Sequence, residues 1–241
     1  MKEERFFYAP EAESLTELPE EEAAHALRVL RYTIGDRIRL MDGKGCFYTA
    51  EITHTTKRSC SYQILDKQQQ ARQWNAYIHI AMAPTKNIDR TEWFIEKAVE
   101  IGVDEITLLN TDFSERKKVN LERLDKIIVS AMKQSHKAFK PGLNGLVDCS
   151  DLIKSAHEAK RFICHCYQPT AENQLKDKVL LKDQLEADDK VLVMVGPEGD
   201  FSIKEVVLAE QNGFVSASLG ESRLRTETAA LVAVHIMNLF T

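Results

Sequence analysis

The chain has 241 residues, of which 44% are hydrophobic and 29% are charged, and its formal net charge is −5. This composition is typical of an ordinary globular protein, and the net charge argues against a general nucleic-acid binder. Apolar stretches are too short to span a membrane, and no signal segment follows the first five residues, so we expect a cytoplasmic protein without a membrane partner.

Charge is distributed unevenly along the chain. Residues 114–140 contain eight basic and three acidic side chains. A protein can grip phosphates with one basic face while the rest of its surface is acidic. The alternative is a solvated helix face, and charge alone does not separate these two interpretations.

The first part of the chain predicts a small β-rich domain. Asp42-Gly43 between two alternating stretches is a strong hairpin signal, and Pro19 followed by carboxylates predicts the first turn of a helix. The predicted strands cover residues 5–8, 37–41, 47–52 and 59–65. Residues 66–73 have the polar composition of a linker, so we predict one domain over residues 1–72 and a second over residues 73–241.

From Tyr77 onward, strands and helices alternate, which is the pattern of an α/β domain with a parallel sheet. Predicted strands cover residues 77–83, 105–109, 161–166, 191–195 and 215–219, and predicted helices cover residues 89–101, 121–136 and 229–240. The last helix is apolar nearly all round, so we expect it to pack in the core or against another subunit.

Three turn motifs follow one another near the C-terminus. Gly196-Pro197-Glu198-Gly199 comes directly after an apolar strand, and its two glycines allow a sharp turn with exposed amides. Ser202 with Glu205 three residues later predicts the start of a helix. Leu219-Gly220 and the segment Leu224–Ala229 form the second and third motifs.

Together these motifs resemble the SPOUT class of RNA methyltransferases, and more closely the RsmE family, which methylates N3 of a uridine in 16S ribosomal RNA of the small subunit. The resemblance implies an α/β fold with a SPOUT-type trefoil-knotted parallel sheet, whose three turns hold S-adenosylmethionine. It also implies a homodimer with its site at the subunit interface. Because knots are nearly absent from proteins, composition and periodicity alone would not suggest one.

The resemblance covers nearly the whole chain. Arg5-Phe6-Phe7 and the segment from His25 to Arg31 are similar to the start of the RsmE family, where a small β-barrel related to PUA and OB modules precedes the methyltransferase domain. Barrels of this kind often bind RNA. The RNA-binding residues that we predict are Arg5, Arg28, Arg31, Lys86, Lys97, Lys117 and Lys137.

The three turns are also the predicted cofactor site. Their backbone groups could clamp an adenine edge and a ribose, with the apolar side chains of Leu219 and Leu224 beside the ring. The predicted cofactor-binding residues are Val195, Gly196, Pro197, Gly199, Leu219, Gly220, Leu224, Arg225 and Thr226.

Methyl transfer from a sulfonium donor depends on holding the nucleophile in line with the methyl carbon, and it needs no metal. Uracil N3 carries a proton, so the enzyme must supply a base or stabilise the developing anion. Arg116, Lys97 and Arg225 are candidates for stabilising the anion, and Glu198 is a candidate for the base or for an anchor of its own loop. We name Arg116, Glu198 and Arg225 as candidate catalytic residues and leave the base unassigned.

Cysteines offer a competing interpretation at Cys164-His165-Cys166. On a strand, His165 would point away from both cysteines, and no second cysteine pair completes a zinc site, so buried thiols are favoured. All five cysteines of the chain fit reduced thiols.

The chain departs from the RsmE pattern at three places. Glu221-Ser222-Arg223 stands where the family commonly has an early arginine followed by an aliphatic residue, and Arg223 is a candidate to replace that arginine from a neighbouring position. Asp200 stands where the family usually has a second glycine, and Ser135-His136-Lys137 stands where it usually has Ser-Gly-Arg. We expect these differences to affect substrate contacts more than cofactor binding.

Three alternatives remain at this point. The first is a methyltransferase of the same superfamily that acts on another RNA base. The second is a non-catalytic RNA-binding or ribosome-assembly protein that keeps the fold. A dinucleotide oxidoreductase is the weakest, because no glycine fingerprint opens the first unit of the α/β domain.

Overall fold

The strands of this protein fall into a four-stranded sheet and a seven-stranded parallel sheet. The computed structural model describes residues 5–173, 175–187 and 189–240. These residues form two compact units. One contains the residues up to Gln73 together with Val129–Lys140, and the other contains Trp74–Ile128 and the residues from Pro141 onward. The predicted domain limits at residues 1 and 241 lie outside the described residues, and the predicted boundary after residue 72 stays a prediction.

The first unit is built on the four-stranded sheet. Its strands are β1 (Phe6–Tyr8), β2 (Arg37–Met41), β3 (Cys46–Thr55) and β4 (Cys60–Gln69), in that order across the sheet. β1 and β2 are parallel, and the other pairs are antiparallel. Alternate side chains on these strands, such as Phe7, Ile38 and Leu40, are fully buried in one core, as expected for a sheet with one buried face. β4 extends through Gln69, so the first part of the predicted linker at 66–73 is strand because its backbone pairs with β3.

A short helix covers the sequence predicted to start at Pro19. Helix α1 (Glu20–Ala24) passes directly into a π-helix over His25–Val29, and Pro19 is the N-cap rather than the first helical residue. The helix is therefore no longer an α-helix after Ala24. Local π-helical turns of this kind are rare and often lie at functional sites.

Residues 129–140 belong to the first unit although they are distant from it in sequence. The amide of Gly45 donates to the carbonyl of Ala138 at 3.0 Å, and the amide of Lys140 donates to the carbonyl of Gly43 at 2.9 Å. Lys133 Nζ also lies 2.7 Å from Glu22 Oε1, and both side chains are largely buried. The glycines of the β2–β3 hairpin allow this approach, because a Cβ at Gly45 would lie 2.6 Å from the ring of Phe139.

The second unit has a central parallel sheet. Its strands are β5 (Tyr77–Met82), β6 (Glu105–Asn110), β7 (Gly142–Asp148), β8 (Lys160–Cys164), β9 (Val179–Leu180), β10 (Lys190–Val195) and β11 (Val215–Ser218). The order across the sheet is β7-β6-β5-β10-β8-β11-β9. β10 lies between β5 and β8, and Val191 to Val195 are buried on both faces. This explains why its sequence is continuously apolar.

Helices flank this sheet. They are α2 (Ile88–Ile101), α3 (Leu121–Ser135, shared between the two units), α4 (Cys149–Ser155), α5 (Ile203–Gln211) and α6 (Thr226–Phe240). A core on one face joins α4 and α5 to Leu192 and Met194, while α6 contacts α2, β5 and β10. The predicted capping box at the start of α5 is confirmed. The Ser202 hydroxyl accepts a hydrogen bond from the amide of Glu205, and the Glu205 carboxylate accepts one from the amide of Ser202. Among the described helices, none is long and apolar enough to cross a bilayer.

All strands of the second sheet are parallel, so their carboxyl ends meet at one edge. In open α/β sheets, ligands bind in the crevice outside this edge. The three C-terminal turn motifs follow β10, follow β11 and open α6, respectively. The fold therefore brings to one edge the segments that the sequence predicted to act together.

Candidate active site

The turn after β10 is shaped by close backbone packing. A Cβ at Gly196 would lie 3.0 Å from the backbone nitrogen of Phe201, so only glycine fits without a shift. The amide of Asp200 donates to the carbonyl of Pro197 at 2.9 Å, which closes the turn. Val195, Gly196 and Pro197 are buried, whereas the outer part of the turn at Glu198 and Gly199 is exposed.

Asp200 fastens this turn to the neighbouring strand β8. Its φ is +68°, a left-handed conformation that L-residues rarely adopt. One carboxylate oxygen accepts a 2.8 Å hydrogen bond from the amide of Cys166, and the other accepts a 2.8 Å bond from the amide of Phe201. The side chain thus compensates for a backbone conformation that glycine would adopt without strain, and this accounts for the departure from the RsmE pattern.

The turn after β10 is also joined to the loop after β5. The amide of Lys86 donates to Glu198 Oε1 at 3.0 Å. Arg116, from the loop after β6, donates through Nε to the carbonyl of Thr85 at 3.0 Å and through Nη2 to the carbonyl of Lys86. Two of the three predicted catalytic residues therefore bind the backbone of one loop, residues 83–87.

The second turn motif follows β11. Gly220 has a φ of +130°, and a Cβ built there would meet no atom within 4 Å. The hydroxyl of Ser218 lies 3.0 Å from the carbonyl and 3.2 Å from the amide of Gly220, so it holds the turn. Leu219 is half-buried and Gly220 is exposed. The backbone of this turn is thus presented beside an apolar side chain.

The third motif begins helix α6. The carbonyl of Arg225 accepts a 2.7 Å bond from the amide of Ala229, which starts the helix. Leu224 is half-buried, Thr226 is buried, and the side chain of Arg225 is exposed. Within the described residues, the guanidinium of Arg225 has no hydrogen bond or ion pair, so its charge is available to a ligand at this edge.

A buried polar chain that the sequence did not predict lies between these turns. His165 Nε2 is 2.9 Å from the hydroxyl of Ser216, which lies 2.6 Å from Glu210 Oε1. Because a carboxylate only accepts, Ser216 donates its proton to Glu210, and His165 must donate from Nε2. Nδ1 then keeps a lone pair, and it has no hydrogen-bond partner within the described residues. Burial lowers the pKa of His165, helped by the charge of Lys178, so the ring is neutral.

His165 follows a strand at the carboxyl edge of a parallel sheet, and this position is the signal that could have identified it as a candidate functional residue. The cysteines on either side differ from each other. Burial raises the pKa of the Cys164 thiol to about 12, whereas Cys166 is exposed beyond the end of β8, so the prediction of a buried thiol is wrong for Cys166. Across the described residues, no cluster of three or more histidine, cysteine or acidic side chains is placed to hold a metal ion.

One predicted residue, Lys97, is not brought to this edge. Lys97 lies in the middle of α2, where its ammonium bonds Glu96 at 2.7 Å and Glu100 at 2.8 Å. It is roughly 13 Å along the helix from the start of α2. Lys117 lies nearer to this edge than Lys97 does, and its ammonium donates to Asn110 Oδ1 at 2.8 Å. The ammonium of Lys86 pairs with Glu115 at 2.8 Å.

Four predicted RNA-binding residues belong to the first unit. Arg5, Arg28 and Arg31 are exposed, and Lys137 donates to Gln73 at 2.6 Å. Burial lowers the pKa of Lys137.

The residues at the edge fit S-adenosylmethionine. The turns offer backbone amides and carbonyls next to the half-buried side chains of Leu219 and Leu224. Small-molecule sites combine an apolar lining with a few placed polar groups in this way. The space beside Gly220, which a side chain would fill, adds to that fit.

Comparisons with known proteins agree with this arrangement. A family model described as an RNA methyltransferase domain matches residues 72–238, and one described as an RNA methyltransferase PUA domain matches residues 18–65. Ribosomal RNA small subunit methyltransferase E of Rickettsia conorii is 28% identical over 223 residues, covering 92% of this chain and 88% of that protein.

Two solved structures are similar over nearly the full length. A probable rRNA-methyltransferase from Porphyromonas gingivalis is 42% identical with a TM-score of 0.88, covering 98% of each chain. Ribosomal RNA small subunit methyltransferase E from Neisseria gonorrhoeae, solved with bound S-adenosyl methionine, is 26% identical with a TM-score of 0.81 and covers 99% of this chain and 98% of that one. The predicted fold class, an α/β SPOUT-type domain with a small N-terminal β domain, is confirmed.

Proposed function

Because the chain belongs to the RNA methyltransferase family and, as its motifs predicted, to the RsmE group within it, we propose that it methylates N3 of a uridine in 16S ribosomal RNA of the small subunit. S-adenosylmethionine is the methyl donor. The observation that carries this proposal is the meeting of three turns, after β10, after β11 and before α6, at the carboxyl edge of one parallel sheet.

Backbone groups hold the donor in this proposal. Val195, Gly196, Pro197 and Gly199 line one side, Leu219 and Gly220 a second, and Leu224, Arg225 and Thr226 a third. When bound, the donor supplies an electrophilic methyl carbon on a sulfonium. The two half-buried leucines exclude water from its ring, and the amides fix its orientation.

Arg225 is the residue that we assign to the reacting base. Uracil N3 becomes nucleophilic as its proton leaves, and negative charge then spreads onto the ring oxygens. An exposed guanidinium without a protein partner can donate to those oxygens and stabilise the anion. Stabilising the anion also lowers the pKa of the N3 proton, so solvent water can accept that proton and the chemistry does not require a strong base in the protein.

Arg116 and Glu198 act as positioning residues in this scheme. Both bond to the backbone of residues 83–87. They set the loop after β5 against the turn after β10. The role predicted for Glu198 as an anchor of its loop is thus favoured over that of a base.

We also propose a cytoplasmic homodimer. Small ribosomal subunits are the substrate, which places the protein where they assemble. The end of α6 supports an interface between copies, since Leu239 and Phe240 are 62% and 48% exposed, and exposed apolar side chains on one helix favour association. Sedimentation equilibrium checks this, and a monomer at micromolar concentration would contradict it.

A transfer assay tests the function. Purified protein is incubated with methyl-labelled donor and small subunits that lack the modification, and the nucleosides are then separated. We expect label in 3-methyluridine at one position. Label only on ribose, on another base or on transfer RNA would contradict the assignment, and donor binding absent by calorimetry would favour a non-catalytic RNA-binding protein.

A further inference from the structure

The loop after β6 carries an exposed aromatic ring that the predicted site does not include. The amide of Ser114 donates to the carbonyl of Thr111 at 3.2 Å, so residues 111–114 form a β-turn with Asp112 and Phe113 in its two central positions. Phe113 is 50% exposed, although Thr111 and Ser114 at the two ends of the turn are buried. We call residues 111–114 the aromatic turn.

Hydrogen bonds hold the aromatic turn in one position. Inside the turn, the hydroxyl of Ser114 accepts from the amide of Thr111 at 3.0 Å. The amide of Asp112 donates to Glu205 Oε1 at 3.0 Å, and the hydroxyl of Ser202 donates to Asp112 Oδ2 at 2.6 Å. The last two partners are the capping-box residues of α5, so the turn is fastened to the start of that helix. Its exposed ring is therefore presented on a fixed backbone.

The aromatic turn packs against the glycine-rich turn that follows β10. A Cβ built at Gly199 would lie 3.2 Å from the Cβ of Phe113, so glycine is what permits this close approach. The ring thus stands at the carboxyl edge of the parallel sheet, next to a turn that we assign to the donor. Small polar residues and glycine are the usual occupants of a β-turn, so turn formation does not explain an aromatic residue at this position.

The proposed reaction calls for an aromatic surface at this edge. N3 of uracil lies on the edge of the base that pairs with another base, so a uridine must leave its pair and its stack before it is methylated there. Extruding a base costs free energy, and enzymes that act on bases recover part of that cost by stacking the base between aromatic or apolar side chains. An exposed ring on a fixed backbone suits this task, since its face is available without rearrangement of the protein.

We propose that the ring of Phe113 forms one wall of the pocket for the target uracil and stacks on that base during methyl transfer. This inference rests on the proposed function, which supplies the uracil. Phe113 and Arg225 then make different contacts with the base, because the ring meets its face and the guanidinium donates to its oxygens. The donor itself and a second copy of the chain are the competing occupants of this surface.

Methyl transfer to small subunits that lack the modification tests this proposal with variants of the full-length protein. Phe113→Ala removes the ring, Phe113→Leu keeps apolar surface without an aromatic face, and Phe113→Tyr keeps that face. The bonds that hold the turn come from other residues, so the fold is retained in all three variants. Trp93→Ala is the matched control, because Trp93 is a 43% exposed aromatic residue that lies roughly 8 Å along α2 from the start of that helix.

We expect Phe113→Ala to lower kcat/KM for small subunits by about tenfold or more, and Phe113→Leu to lower it nearly as much. Phe113→Tyr is expected to stay within about threefold of the wild type, because a tyrosine ring also offers a face for stacking. Trp93→Ala is expected to behave as the wild type does. The Kd for S-adenosylmethionine, measured by calorimetry, is expected to be unchanged in every variant.

Four results would overturn this inference. Wild-type kcat/KM in Phe113→Ala, or equal values in the leucine and tyrosine variants, would overturn it and leave the proposed function intact. A raised Kd for the donor in Phe113→Ala would place the ring against the donor, and dissociation of the protein in sedimentation would place it between two copies. A wild-type protein that transfers no methyl group to small subunits would overturn the proposed function and this inference with it.

Discussion

The amide of Lys86, in the loop after β5, donates a hydrogen bond of 3.0 Å to Oε1 of Glu198, in the turn after β10. This bond ties the glycine-rich turn to a loop that Arg116 holds from the other side. The carboxylate therefore has a structural partner at the point where the sequence suggested a catalytic base. The anchoring role of Glu198 can be separated experimentally from a role as a base, because glutamine keeps the acceptor oxygen and loses the basicity.

We expect Glu198→Gln to keep turnover and donor affinity within about threefold of the wild type, because the bond to Lys86 survives. Glu198→Ala is expected to raise the Kd for S-adenosylmethionine by about fivefold, which corresponds to the loss of one hydrogen bond. Calorimetry and single-turnover transfer measure the two effects. A drop in turnover of about 100-fold in the glutamine variant, with donor binding intact, would identify Glu198 as a base after all.

Asp200 offers a second test, this time of backbone strain. Alanine at this position would keep the left-handed φ of +68° and lose both hydrogen bonds of the carboxylate. Glycine would lose the same bonds but adopt that φ freely. We expect Asp200→Ala to be less stable than Asp200→Gly by about 1 kcal/mol in urea unfolding. Equal stabilities would show that the turn relaxes out of this conformation.

Sequence reasoning located the elements well where local signals were strong. The capping box at Ser202 and Glu205 and the apolar strand β10 are local patterns, and both are present. The π-helix after Ala24 was missed because its bonds join residues five apart, and the apolar spacing there fitted an ordinary helix. The continuation of β4 to Gln69 was missed because cross-strand pairing overrides the polar composition of that stretch.

Long-range contacts lay beyond that reasoning. Nothing in the sequence of residues 129–140 says that they group with the four-stranded sheet, since that depends on backbone bonds to Gly43 and Gly45. The buried chain through His165 and Ser216 joins residues that are 51 apart. The family resemblance, rather than periodicity, supplied the knot and the donor. The left-handed conformation of Asp200 became explicable only when its φ value was known.

His165 allows a test of the deduced proton positions. Because Ser216 donates to Glu210, the ring of His165 is expected to be neutral with its proton on Nε2 at pH 7. Its pKa lies below the ordinary 6.5 because burial disfavours the charged form. The contribution of His165 to the free energy of unfolding is therefore fully present above pH 6.5. It is lost as the pH falls through the lower pKa that His165 has in the folded state. Long-range nitrogen–proton NMR spectra report the tautomer, and a proton found on Nδ1 would contradict the deduction.

A buried pair at the amino ends of the strands predicts acid sensitivity of the fold. His79 Nδ1 lies 2.7 Å from Glu158 Oε1, and the side chains are 4% and 8% exposed. Burial alone would raise the pKa of Glu158, but the hydrogen bond from His79, the bond from the backbone amide of Glu158 itself and the charges of His79 and His157 lower it to about 2. Because the folded pKa is depressed, the pair stabilises the fold above pH 4.5, and that stability is lost as the pH falls toward 2.

The size of this effect is of the order of 3 kcal/mol. In Glu158→Gln, the amide oxygen still accepts from His79 but does not titrate, so we expect a flatter dependence of unfolding free energy on pH between 4.5 and 2. Glu158→Ala is expected to cost about 1–3 kcal/mol at pH 7, because a buried donor of His79 is left unpaired. An unchanged acid profile in the glutamine variant would contradict the assignment.

Arg225 carries the strongest prediction about the reaction. Its side chain is exposed and has no ion pair or hydrogen bond within the described residues, so Arg225→Ala is expected to leave the unfolding free energy within about 0.5 kcal/mol of the wild type. Turnover is expected to fall by about 100-fold or more, because a donor to the developing anion is lost. Arg225→Lys keeps the charge without the paired donors and is expected to recover part of the rate. Lys154→Ala, at an exposed position on α4, controls for loss of one positive charge, and turnover in Arg225→Ala equal to that of this control would remove Arg225 from the site.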